Sequence, residues 1–149
     1  MGRLKMLSVG QRIALVLAVF FYIIAGALHF ARPEPYLRLM PPYIPWHAAM
    51  VRISGAFEIL GALGLLVSGT RRAAAWGLVA LLIAVFPANV YMAMHPVEAG
   101  AASVAPMLRW GRLPLQPLLI WWVLWCTQPR SALRKKWSKR SVSGLVAHR

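Results

Sequence analysis

Apolar residues gather along the chain into four long runs, separated by short polar or proline-rich stretches. The first extends from Ile13 to Phe30 and the second from about Trp46 to Val67. The third runs from Ala73 to Met94 without a charge, and the fourth from about Trp110 to Thr127. Each approaches the roughly 20 residues a helix needs to cross a bilayer. The fourth is weakest, with Arg112, Pro114 and Pro117 in its opening turns. A soluble helix bundle would give each helix a polar face, and the third run has none. The pattern therefore predicts an all-α integral membrane four-helix bundle, up-down-up-down, with spans of about 12–31, 46–67, 73–94 and 110–127. Residues 1–129 form one four-helix domain in this reading, and 130–149 a basic cytoplasmic tail. The basic, then apolar, start is read as a retained first helix, because its core is longer than that of a signal peptide and three more spans follow.

Charge sets the orientation. With the N-terminus in the cytoplasm, Arg3, Lys5, Arg12, Arg71, Arg72 and the seven basic residues of 130–149 lie inside. Arg32, Arg38, Arg109 and Arg112 lie outside, and Arg52 falls within a span. Twelve against four is a strong positive-inside bias and places both termini in the cytoplasm. This partition also explains most of the net charge of +14. Nucleic acid is not an expected partner, since no folded basic domain exists to carry it. The tail segment RSALRKKWSKR suits a surface of anionic lipid headgroups. Cys126, the single cysteine, cannot form an intrachain disulfide or a CxxC redox centre.

The polar interruptions mark where chemistry is to be sought: His29, Arg52, Glu58 and Asn89. The chain has three acids, and placing one of them, Glu58, inside the second run is costly unless it faces protein, water or a ligand. Gly55, Glu58 and Ala62 share a helix face, with Ser54 and Gly61 beside it. Small residues there admit a neighbouring backbone, so Glu58 is expected to point into the bundle. Tyr22, Gly26 and His29 likewise share a face of the first helix. Pro87 frees the carbonyl of Ile83, which leaves Asn89 either to bond that backbone or to reach across the bundle. Arg52 either snorkels to headgroups or balances Glu58, although at i and i+6 the two do not share a face. At about 1.5 Å per residue all four polar residues fall between midplane and outer surface. The expected site is a polar pocket opening outward beneath the loop 31–45, whose five prolines, Pro41 and Pro42 among them, should order it over the mouth. Pro45 is placed to begin the second helix.

The segments AGALHFARPEPY, MPPYIPWH, ISGAFEILGALGLL, TRRAAAWG and FPANVYMAMHP resemble those of the DoxX-like family of small four-helix membrane proteins. The likeness covers about Leu15 to Pro96, and the fourth helix matches only in hydrophobicity and length. It implies a multi-pass protein of the bacterial plasma (inner) membrane. Some members of that family are associated with quinone-linked or thiol-linked oxidoreductase systems, and distant animal relatives act as membrane chaperones or cargo receptors. The motif positions carried over are His29, Pro33, Tyr36, Pro41, Pro42, Ser54, Gly55, Glu58, Gly61, Arg72, Pro87, Ala88 and Asn89. The paired cysteines of thiol-redox members are missing, which argues against a direct dithiol reaction.

Two function classes follow. The first is an accessory component of a membrane redox system that binds a quinone-like or other amphipathic small molecule, a quinone being the cofactor the resemblance suggests. Its ligand-binding candidates are Tyr22, His29, Tyr36, Arg52, Glu58 and Asn89, with Pro41, Pro42, Ser54, Gly55, Gly61 and Pro87 as the structural motif. The second is a non-enzymatic chaperone or adaptor that assembles with a membrane protein partner, or with itself, through small-residue faces. A small-molecule or proton carrier is a further alternative. No metal is expected, because His29, His47, His95 and Glu58 lack compact ligand spacing. No phosphate-binding loop, dinucleotide fingerprint or nucleophile elbow is present.

Overall fold

A capping box opens the first long helix, α1 (Val9–Ala31). The Ser8 hydroxyl accepts from the Gln11 backbone N–H at 3.2 Å, and the Gln11 side-chain oxygen accepts from the Ser8 N–H at 3.0 Å. Two of the four N–H groups that every helix start leaves without a partner are thereby satisfied. The computed structural model describes residues 7–96 and 105–128. The basic tail, Arg3, Lys5 and most of the connection expected at 95–109 lie outside the described residues.

Among the described residues the chain is all-helical. After α1 come the short α2 (Glu34–Arg38), then α3 (His47–Leu66), α4 (Arg71–Met94) and α5 (Pro106–Thr127). Helices α1, α3 and α4 are long and apolar enough to cross a membrane. α5 has the length, since its 22 residues extend about 33 Å. Arg109, Arg112, Gln116 and its prolines dilute its hydropathy. α1 packs on α3 and α5, α3 on α4, and α4 on α5, which closes a ring, while α2 lies against α3.

The helix ends are tied by side chains. Gln11 Nε2 also donates to the Trp125 and Gln128 carbonyls at 3.0 and 2.9 Å, joining the start of α1 to the end of α5. At the α3–α4 turn, buried Arg71 donates through Nε to the Leu65 carbonyl at 2.7 Å and through Nη2 to that of Leu66 at 3.2 Å. Thr70 Oγ1 donates to the Gly64 carbonyl at 2.9 Å. A cation at a helix C-terminus meets both unpaired carbonyls and the negative end of the helix dipole. Arg71 therefore caps α3 in addition to the topological part its charge suggests. Arg71→Ala is expected to lose about 2 kcal/mol, the scale of hydrogen bonds made by a charged donor. The exposed Arg72→Ala should stay within about 0.5 kcal/mol. Unfolding of both variants in mixed detergent micelles decides the matter, and equal small losses would remove the capping role.

Inside the ring the chain divides into two halves. In the half nearest the α3–α4 turn, Leu15, Ala18 and Val19 of α1 pack with Ala62 and Leu65 of α3, Ala75 and Leu78 of α4, and Val123 and Cys126 of α5. Free Cys126 is fully buried there. Toward the other end a smaller group packs around Met92, with Leu39 and Tyr91 against it. The outer surface is apolar as well. Ile13, Phe20 and Ile24 of α1, Phe57 and Leu60 of α3, Trp76 and Ile83 of α4, and Leu118 and Trp121 of α5 are all exposed, Leu60 by 63%. So much outward apolar area is a membrane or partner surface and not a watered one.

The proline-rich connection differs from the sequence reading in one respect. α3 begins at His47, with Trp46 as its N-cap in the left-handed region (φ 54°), so Pro45 precedes the helix and does not start it. A left-handed residue cannot continue a right-handed helix, and Trp46 therefore delays the start by two positions. α2 shapes the rest of the loop, and the His47 ring Nε2 donates to the Pro41 carbonyl at 3.1 Å.

Candidate functional site

A cavity of about 350 Å³ occupies the half of the ring that the core leaves open. Every helix contributes to its wall: Phe21, Tyr22, Ala25 and His29 from α1, Tyr36 from α2, Val51, Ser54 and Glu58 from α3, Ala88 and Asn89 from α4, and Arg112, Gln116 and Leu119 from α5. Leu39 and Met40, just after α2, line it too. Its size and its apolar wall with a few polar groups are those of a small-molecule site.

A close helix crossing places the central pair. A Cβ on Gly26 would lie 2.7 Å from the Gly55 carbonyl oxygen, and one on Gly55 would lie 2.6 Å from His29 Cβ and 2.8 Å from the Gly26 carbonyl. α1 and α3 therefore meet backbone to backbone. One turn beyond each glycine stand His29 and Glu58, and His29 Nδ1 lies 3.3 Å from Glu58 Oε2. Gly61 belongs to another contact, facing the Leu78 side chain on α4.

The His29 ring is held on three sides. Its Nδ1 lies 2.8 Å from the Ala25 carbonyl, an oxygen that can only accept, so the proton resides on Nδ1. Its face stacks on Tyr36, with ring centroids 3.8 Å apart. Because the Nδ1 hydrogen is directed at Ala25, Glu58 Oε2 stays at ion-pair distance but receives no hydrogen bond, and it is buried without a partner. Tyr22 Oη is the second such atom on the wall, on a side chain only 1% exposed. Neither Ser54 nor Asn89 serves Glu58. Ser54 Oγ donates to the Met50 carbonyl at 2.9 Å, and Asn89 Nδ2 donates to Gln116 Oε1 at 3.3 Å. Gln116 Nε2 in turn donates to the Leu82 carbonyl. Asn89 thus reaches across to α5.

The site so assembled contains five of the six expected ligand contacts, Tyr22, His29, Tyr36, Glu58 and Asn89. Arg52 is a correction, because it is exposed on the outside of α3 and takes no part in the wall. Six residues from Glu58 put it about 120° around the helix. The cation on the wall is Arg112, with Gln116 one turn on. Their i, i+4 spacing, continued by Leu119, was the sequence signal for a shared inward face. Burial lifts the Tyr36 hydroxyl above the ordinary tyrosine range, the Glu58 charge lifts it further, and Arg112 opposes both. Among the structural motif residues, Pro41 is fully buried beneath the loop and Pro42 is exposed. No group of three or more metal-ligating side chains occurs among the described residues.

No curated protein and no solved structure is detectably similar to this chain. A family model does match, over residues 17–127, a stretch that takes in α5 and the whole cavity wall. By that match the chain belongs to the family described as domain of unknown function DUF8561.

Proposed function

We propose that the protein is a four-helix membrane bundle of the bacterial inner membrane. Its helices run up-down-up-down with both termini cytoplasmic, and it serves as an accessory component of a redox system by holding a quinone-like or other amphipathic small molecule. α5 is the fourth span in this reading. Its outward residues Leu118, Trp121 and Trp125 are apolar, and the polar groups that lower its hydropathy include Arg112 and Gln116 on the cavity side. The half of the ring holding the cavity then faces outward, and anionic lipid headgroups meet the basic cytoplasmic end. The redox assignment rests on the likeness to the DoxX-like family.

The observation that carries the small-molecule reading is the cavity itself, with a carboxyl oxygen and a phenol oxygen buried on its wall without partners. A purely structural carboxyl would be expected to spend its lone pairs inside the chain. The rival class, a chaperone or adaptor docking through small-residue faces, has less to stand on. Gly26, Gly55 and Gly61 are occupied by contacts within the chain.

Glu58→Gln nearly preserves shape and hydrogen-bonding capacity while removing the charge. The variant is expected to insert and purify as the parent does and to lose the co-purifying small molecule, read by native mass spectrometry. Unchanged occupancy would leave Glu58 a structural carboxyl and withdraw the proposal.

A further inference from the structure

The two unpartnered oxygens specify more than the presence of a ligand. Glu58 lies across from Gly26, since a Cβ on that glycine would fall 3.1 Å from Glu58 Cβ. Gly26 is one turn from Tyr22 on one side and one turn from His29 on the other. The carboxyl therefore stands over the α1 face between Tyr22 and His29. His29 has committed its Nδ1 hydrogen to Ala25 and keeps an Nε2 that can only accept, and the buried side-chain oxygens without a partner on this side are Glu58 Oε2 and Tyr22 Oη.

Their chemistry is complementary in one particular way. A carboxylate only accepts hydrogen bonds and a carboxylic acid also donates one, whereas a phenol hydroxyl does both. A ligand carbonyl or ether could accept from Tyr22 but would set a lone pair against an ionised Glu58, whereas a ligand hydroxyl suits the carboxyl in either state. A ligand ammonium could serve Glu58 but would leave the Tyr22 hydrogen unused, and a ligand carboxylate would repel Glu58. A hydroxyl does both, donating to Glu58 and accepting from Tyr22. The wall on the α1 and α2 side is aromatic, with Phe21, the Tyr22 ring and the stacked His29–Tyr36 pair, while α4 and α5 supply an aliphatic side with Leu82, Val85 and Leu119 that suits an alkyl tail. Rings favour a flat aromatic body over a flexible alkyl one. A cavity of about 150 Å³ is enough for a benzene ring, so the 350 Å³ present accommodates a substituted ring and the start of an apolar tail.

We infer that the cavity selects an aromatic hydroxyl compound, a phenol or hydroquinone bearing an apolar tail, with its hydroxyl donating to Glu58 and accepting from Tyr22. This rests on the small-molecule reading above and narrows it to a ligand class. The test uses the full chain in lipid nanodiscs with 4-decylphenol, its methyl ether 4-decylanisole, and decylammonium as probes, and counts bound probe against empty nanodiscs by native mass spectrometry. The phenol should bind about tenfold or more tighter than the ether, the cost of leaving a buried acceptor unsatisfied. Tyr22→Phe removes an oxygen that bonds nothing within the chain, so it should leave folding intact and weaken phenol binding about tenfold with little effect on the ether. Equal binding of phenol and ether would show that water can serve the two oxygens and would overturn the inference while leaving the cavity a ligand site. Preference for decylammonium would overturn it in favour of an ion pair with Glu58. If none of the three binds, the small-molecule reading falls and takes this one with it.

Discussion

Gly55→Leu should yield no compact protein, and Gly55→Ala should be costly for a single-methyl change. The reason is backbone and not side-chain crowding. The added Cβ would sit 2.8 Å from the Gly26 carbonyl oxygen and 2.6 Å from His29 Cβ, and neither atom belongs to the free end of a flexible side chain. α1 and α3 must separate to admit it. Overpacking of this kind costs about 1–3 kcal/mol for a small group, and a leucine exceeds what a marginally stable domain can absorb. The displacement also moves His29, so any folded Gly55→Ala protein should have lost the 3.3 Å approach to Glu58 and its ligand with it. Gly77, on an exposed face of α4, is the internal control, because a Cβ there meets nothing within 4 Å. Gly77→Ala should be neutral or gain about 0.5–1 kcal/mol from the lower chain entropy of alanine. Recovery of monodisperse protein and unfolding midpoints for the two alanine variants provide the comparison. Equal midpoints would mean that the α1–α3 crossing is looser than described.

Which features could be read from the chain depends on whether their cause is local. Apolar runs of helix length announce α1, α3 and α4, because a span must satisfy its backbone within itself. The i, i+3, i+4 relation of Gly55, Glu58 and Ala62 is likewise local, and so is that of Tyr22, Gly26 and His29. Knowing that the two glycines face each other takes the packed pair. The His29–Glu58 contact emerges only then, although each residue stands out in the sequence. Arg112 and Gln116 were harder to see because they stand among prolines in the least apolar run, where polar residues read as the rim of a span. Arg52 misleads for the opposite reason, since it sits in a strongly apolar run near Glu58, and only its angle around α3 tells the two apart. The start of α3 turns on one left-handed residue, Trp46. Tryptophan carries no preference for that conformation, so local chemistry gives no warning of it.

Apart from the Gly26–Gly55 crossing, the division of the interior into a filled half and an open half separates what holds the fold from what the cavity does. The Gln11 and Arg71 ties and the Leu15–Val123 core all lie in the filled half. Substitutions on the cavity wall can therefore alter a ligand without dismantling the ring. Ala88→Phe uses that separation and should have the largest effect on binding of any change that keeps every polar group in place. Ala88 lines the cavity from α4, and a benzene ring needs a cavity of about 150 Å³, a large part of the 350 Å³ available. The variant should fold at least as well as the parent, since an apolar group filling an apolar-walled cavity adds contacts without forcing the backbone. Its occupancy by the co-purifying molecule should fall tenfold or more. Opposite signs in the two readouts, stability held or raised and ligand lost, are what a binding site produces. A structural void would show only the gain in stability, with nothing bound in the parent to lose. Retention of the parent's ligand by a well-folded Ala88→Phe protein would place that ligand outside this cavity, most directly on the apolar outer surface. Glu58 would then have to be explained by its contact with His29 alone.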